Sequence, residues 1–396
     1  MYPYLTPDIP GIGGVFKESP EDFLVTEIPL YEPCGTGEHS YLFFEKRGIT
    51  TLEAIHRIAK AIGVQQRDIG YAGMKDAKGI TRQTLSIPRV APDILMALKI
   101  SGITMLSAKL HNNKLRLGHL AGNRFSIRIR EVSKNSVESA TAIASVLSRV
   151  GIPNYFGEQR YGVQGNSAEV GCKLLQKDYE GAVKAIIGMP DSVSDDRWQK
   201  AIIAFHEGDL QKSLELFLSH CRTEMEITRT MIRFPGKWDR GIKSINPRLI
   251  KLYLSACQSD LFDRVVAARM PDINNIIKGD VAYKHINGAC FRVDDEKDGA
   301  IRSESFEISA TGPMFGTKML IPEFVPGEIE DRILADSGLT REMFNDSRDL
   351  PGERRPLRVP VSDLRISLEV DSLLLEFSLP KGAYATSLLR EIMKSW

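Results

Sequence analysis

Apolar residues recur at or near every second position in DFLVTEIPL (22–30) and HSYLFFEKR (39–47), and both stretches have the aromatic and β-branched content of strands. The spacing then lengthens. Leu52, Ile55, Ile58, Ala59 and Ile62 follow Thr50, which precedes Glu53 at the capping-box interval, so an amphipathic helix is predicted there with Gly63 as its stop. Its His56 reads as an ordinary helix-surface residue. Period two returns over 83–87, ahead of Pro88, and again over 124–130. In that second stretch Phe125, Ile127 and Ile129 alternate with Arg124, Ser126, Arg128 and Arg130, giving one apolar and one basic face. Helices are predicted over 136–150, within 168–187 and over 247–270. Leu249, Leu252, Tyr253, Ala256, Leu261, Val265 and Val266 form the packing surface of the last of these. The chain closes with a strand carrying Leu373, Leu375 and Phe377, a turn at Pro380 and Gly382, and a helix over 384–394.

A chain of 396 residues has material for two or three domains. Its 52 Lys and Arg against 51 Asp and Glu leave no overall field to attract nucleic acid, so any such argument rests on local charge. The five cysteines are dispersed without a CxxC pair, which favours a reducing compartment and disfavours a compact zinc module. The seven histidines form no HExxH motif, and the spacing asks for no metal. No basic start followed by an apolar core opens the chain, and no run approaches 18 apolar residues. The expectation is a soluble cytoplasmic protein without membrane association. Its oligomeric state is left open.

Local charge changes the picture. From Lys109 to Arg130 there are six cations and no acid, a field suited to a phosphate backbone. A second basic stretch holds Arg229, Arg233, Lys237, Arg240, Lys243 and Arg248, read either as another RNA-facing surface or as a solvated loop. Between them in interest lies GYAGMKDAKGITRQTLSIPR (70–89), where Ala72 and Gly73 allow close backbone approach, Gly79 allows a sharp change of direction, and Asp76 sits in a tight basic loop before a strand. One reading has Asp76 capping its own backbone. The other has an ionised carboxylate, Arg82 its guessed ionic partner, serving as nucleophile or proton acceptor. Phe125 either joins the core or stacks on a base, and Asn123 either bonds a base edge or holds the turn. The glycine- and aromatic-rich stretch over 151–171 offers Asn154, Phe156, Gly157, Glu158, Gln159 and Arg160 as a cleft wall or hinge, although Glu158 and Arg160 also fit a surface pair.

YAGMKDAKGITRQ, KLRLGHLAGNRF, NYFGEQRYG, TGPMFG, GERRPL and LPKGAYATSLLRE occur in the order found in the TruD family of tRNA pseudouridine synthases, which this chain resembles over most of its length, with an archaeal cast. The resemblance implies an α+β fold. A mixed, largely antiparallel catalytic sheet would lie in a discontinuous domain, 1–156 and 356–396, and an inserted α/β TRUD domain, 157–355, would form the opposite wall of an RNA cleft. It implies isomerisation of uridine in tRNA, with U13 as the family target, Asp76 as the catalytic residue, Phe125 beside the target base and Asn123 organising the same site. Lys75, Arg82, Arg124, Glu158 and Arg160 join these two as expected substrate-binding residues. TGPMFG is expected to support RNA closure or the junction between domains. The isomerisation breaks the N1–C1′ bond, rotates the base, joins C5 to C1′ and removes the C5 proton. It needs no external group, in keeping with the expectation of no cofactor, nucleotide or metal. A noncatalytic tRNA-binding protein or RNA folding factor is the alternative.

Overall fold

The computed structural model describes residues 2–133, 135–345 and 350–395, with only the backbone of Gln159, so the side-chain role expected there lies outside the described residues. The chain divides into two compact units, one of Tyr4–Ile152 with Val359–Trp396 and one of Met1–Pro3 with Pro153–Arg358.

Alternating sequence becomes sheet in the first unit. Strands Phe23–Pro29, His39–Arg47, Ile80–Pro88, Ile103–His111, Leu120–Arg130, Ser362–Glu369 and Ser372–Pro380 form the main path of a nine-stranded sheet. In spatial order they run 362–369, 372–380, 120–130, 23–29, 80–88, 39–47, 103–111. Only the contact between Phe23–Pro29 and Ile80–Pro88 is parallel along this path, so the sheet is mixed and largely antiparallel. The late strand returns to the early ones: Phe377 lies opposite Phe125 and Leu375 opposite Ile127.

Phe44, Leu85 and Ile87 share one sheet face with Ala54, Ile55 and Ile58 of helix Thr51–Ile62. Thr50 caps that helix through the Glu53 N–H at 3.1 Å, and Gly63 ends it at φ 72°. The Glu53 carboxylate pairs with Arg57, and Leu52, placed on the packing face by its spacing, is exposed.

The second unit is helical with a small antiparallel sheet of Cys290–Arg292, Val281–Lys284, Ile308–Met314 and Glu353–Pro356. Helix Pro247–Ala268 crosses its two apolar clusters, with Tyr253 in one and Leu261, Val265 and Val266 in the other. Leu252, expected among its packing residues, is exposed. The first four residues of TGPMFG end the wholly buried strand Ile308–Met314. A side chain on Gly312 would meet the Phe262 ring at 2.9 Å, which gives that glycine a packing reason. Among the described residues no helix is long and apolar enough to cross a membrane.

Candidate active site

Asp76 lies between the short strand Gly70–Tyr71 and strand Ile80–Pro88, and three contacts fix the segment around it. The Lys46 ammonium donates to the carbonyls of Ile49 and Asp76, both at 2.7 Å. The Thr51 hydroxyl accepts from the Lys75 N–H at 2.9 Å. Lys75 itself turns inward, donating to Asn123 Oδ1 at 2.6 Å and pairing with Glu27 at 3.1 Å. The close approach expected at Gly73 is not there, since a Cβ on it would meet nothing nearer than 3.9 Å; the tight positions are Gly70 and Gly79, where a Cβ on Gly79 would stand 2.6 Å from the Phe23 carbonyl.

The carboxylate of Asp76 is held differently from its backbone. Lys17 Nζ meets Oδ2 at 2.6 Å, and the Lys78 N–H reaches Oδ1 at 3.2 Å. Burial pushes the Asp76 pKa upward, but the hydrogen bond and charge of Lys17, aided by the Lys78 and Ala77 N–H groups, outweigh it and keep it below the ordinary carboxylate value. The group is therefore ionised at neutral pH, and 27% of its side chain still reaches solvent. Lys17 adopts the left-handed φ of 64°, a strained backbone for lysine, and its ammonium stands 3.9 Å from the centre of the Phe23 ring.

Phe23 leads to Phe125 at 6.4 Å, and Phe125 stacks on Phe377 at 5.1 Å with the planes 21° apart. Phe125 thus joins the core and keeps 7% of its surface exposed. Asn123, two residues away and on the same face, opposes Glu27 across the strand pair. Asp76, Lys75, Asn123 and Phe125 are in this way brought together on one side of the sheet.

Arg82 is not the ionic partner of Asp76. Its guanidinium pairs with Glu45 at 2.8 Å, and Lys17 takes the place expected for it. Strand alternation is the reason: Lys46 opposes Thr81 on the face that carries the Asp76 segment, so Arg82, opposite Glu45, points to the other face. Arg124 is opposite Thr26, which is in register with Arg82, and so lies exposed on that other face too. The basic face of strand Leu120–Arg130 is only partly basic. Arg128 pairs with Glu369 at 2.7 Å and Arg130 with Asp22 at 2.7 Å, leaving Arg124 without an acidic partner among the described residues. Glu158 and Arg160 belong to the other compact unit. Glu158 is exposed, while Arg160 donates to Ser259 Oγ at 3.0 Å and to Ser255, so it braces helix Pro247–Ala268.

Lys46, Lys17 and Glu27 are missing from the sequence reading. Lys46 had a signal, since it continues the inward phase of Leu42 and Phe44 and is fully buried, its pKa lowered to about 8 chiefly by burial, with Lys75 adding to that and Asp76 opposing it. Lys17 had none, because its role exists only through a contact 59 residues away. Glu27 is pushed above its usual pKa by burial, against the pull of Lys75, and marks the deep end of the same cluster.

The family model of tRNA pseudouridine synthase D (TruD) matches residues 1–392. The tRNA pseudouridine synthase D of Geotalea daltonii is 57% identical, the match covering 100% of both chains, and that of Geobacter sulfurreducens is 56% identical over 99% of this chain and 96% of its own. A crystal structure assigned to TruD from Methanosarcina mazei superimposes with a TM-score of 0.86, covering 100% of this chain and 96% of that one at 24% identity, which shows a shared fold. The nearer likeness to the Geotalea and Geobacter proteins corrects the archaeal cast read from the motifs. With the match spanning nearly the whole length, the chain belongs to the tRNA pseudouridine synthase D (TruD) family.

Proposed function

We propose that this protein converts uridine to pseudouridine in tRNA, at U13, with Asp76 as the reacting carboxylate. The observation that carries the reading is a carboxylate that is ionised, partly open to solvent and mounted on a backbone pinned by Lys46, Thr51 and the Lys75–Glu27–Asn123 cluster. Such a group attacks carbon as a nucleophile or takes a proton as a base without first losing one of its own. Lys17 keeps it ionised. In the isomerisation the N1–C1′ bond breaks and the C5–C1′ bond replaces it, the C5 proton leaves to a base, and N1 takes up a proton. Between these steps the detached uracil must stay in place while it turns. Phe125, backed by Phe23 and Phe377, is a rigid apolar wall for that purpose, and Asn123, oriented by Lys75, is the nearby group able to bond a base edge. The target must first leave its RNA stack, which costs a few kcal/mol that RNA contacts elsewhere have to offset.

The test incubates the protein with unmodified tRNA and maps pseudouridine nucleotide by nucleotide, beside Asp76→Asn. Signal at U13 with the wild type and none with the variant is expected. RNA binding with no pseudouridine across a set of tRNAs would overturn the catalytic reading and leave a tRNA-binding protein.

A further inference from the structure

We propose that the turn between helices Arg222–Arg233 and Trp238–Lys243 is a second tRNA-binding surface, on which Arg233, Arg240 and Lys237 engage phosphates of the RNA backbone. The inference rests on the tRNA-directed function proposed above. Residues 229–248 hold six cations and one acid in a chain of net charge +1, so the rest of the molecule is net negative and the positive charge has been gathered here. The single acid, Asp239, is taken by Lys243 at 2.9 Å. Arg229, Arg233, Lys237, Arg240 and Arg248 are exposed and have no acidic partner among the described residues. Exposed Arg47 and Arg292, by contrast, pair with Glu21 and Glu323.

The geometry is also prepared. Phe234, Pro235, Gly236 and Lys237 form a tight turn closed by the Lys237 N–H on the Phe234 carbonyl at 3.1 Å, with Gly236 at φ 69° after a proline, as a type II turn requires. The Phe234 ring lies 5.1 Å from the Arg233 guanidinium carbon and 4.2 Å from that of Arg240. Stacking on one ring limits the rotamers of both arginines and leaves their N–H edges free, the arrangement that grips phosphate in a fork. A cation in the last turn of a helix complements the helix dipole, which accounts for Arg233 and Arg240 but not for Lys237, at the N-cap of the second helix. Repulsion among clustered cations disfavours the free protein, and a polyanion removes it.

The full chain is tested as wild type, as Arg233→Ala with Arg240→Ala, and as Arg233→Lys with Arg240→Lys. Binding of an unmodified tRNA transcript is followed by fluorescence anisotropy from about 50 to about 200 mM salt, with pseudouridine yield at saturating protein as the second readout. The alanine variant is expected to bind about ten-fold more weakly and to lose roughly 1.4 to 1.8 from the slope of log affinity against log salt. The lysine variant should keep that slope, and both should reach the wild-type yield when saturated. An alanine variant with wild-type affinity and slope overturns the surface while leaving the functional reading intact. So does a lysine variant that loses as much slope as the alanine one, since the loss would then be structural. A wild type that binds no tRNA overturns both.

Discussion

Asp76 and Asp263 lie in different compact units, both withdrawn from bulk water, and they meet opposite fates. Asp263, on helix Pro247–Ala268, is fully buried. Its Oδ1 accepts the Phe156 N–H at 2.9 Å and its Oδ2 the Tyr161 hydroxyl at 2.6 Å. Burial pushes its pKa up to about 7; the Tyr161 and Phe156 bonds and the Arg355 charge pull it down, and Asp260 adds to the rise. Asp76 has an ammonium on one oxygen, a backbone N–H on the other, and a path to solvent. A perturbed carboxylate is therefore no guide to chemistry unless something can reach it. Asp263 ties down the NYFGEQRY segment at Phe156 and Tyr161, whereas Asp76 is held in place and left open.

The largest expected break in that comparison is Asp76→Asn, for which turnover should fall roughly 10³-fold or more while tRNA affinity stays within about threefold. An active variant, by single-turnover mapping of pseudouridine, would place Asp76 with Asp263 as a structural group. Lys17→Met comes next, lowering kcat about 10²-fold. The wild-type rate should be insensitive to Asp76 ionisation until the pH drops below about 4, and the acid limb of the pH–rate profile should move upward when the lysine is gone. Lys17→Arg should recover part of the loss, and an unmoved limb would count against Lys17 as the group that holds the carboxylate ionised.

Asp263→Asn sharpens the contrast through stability. A carboxylate with a raised folded-state pKa contributes stability that is fully present below its unfolded value of about 3.9 and is lost as the pH rises through about 7. Melting temperature measured from pH 4 to 8 should accordingly carry a downward component in the wild type that the asparagine variant lacks. The amide can replace only one of the two accepting oxygens, so a cost of about 1–3 kcal/mol is expected as well. The smallest effect belongs to Arg82→Gln, which removes a half-exposed pair worth about 0.2–1 kcal/mol by denaturant unfolding and should leave kcat within about twofold. A collapse of kcat would return Arg82 to the site.

Much of the scaffold was legible. Strand His39–Arg47 and helix Ser136–Val150 occur with the limits their patterns predict, and the inward phase of Phe125, Ile127 and Ile129 is that of the strand. The charge reading was weaker. Arg128 and Arg130 count toward a basic segment along the chain, yet Glu369 and Asp22 neutralise them from distant strands. Arg82 was closest to Asp76 in sequence among the arginines, and the pleat turned it away.

The sequence by itself determined the element order, the faces of its strands and the placing of Asp76 on a tight loop, because periodicity, caps and turn residues act over a few neighbouring residues. Only the tertiary structure decided which charges meet. Lys17 is 59 residues from Asp76 and Lys75 is 48 from Asn123. Such pairs depend on strand order and register, which are set by burying whole faces at once, and no local pattern records them.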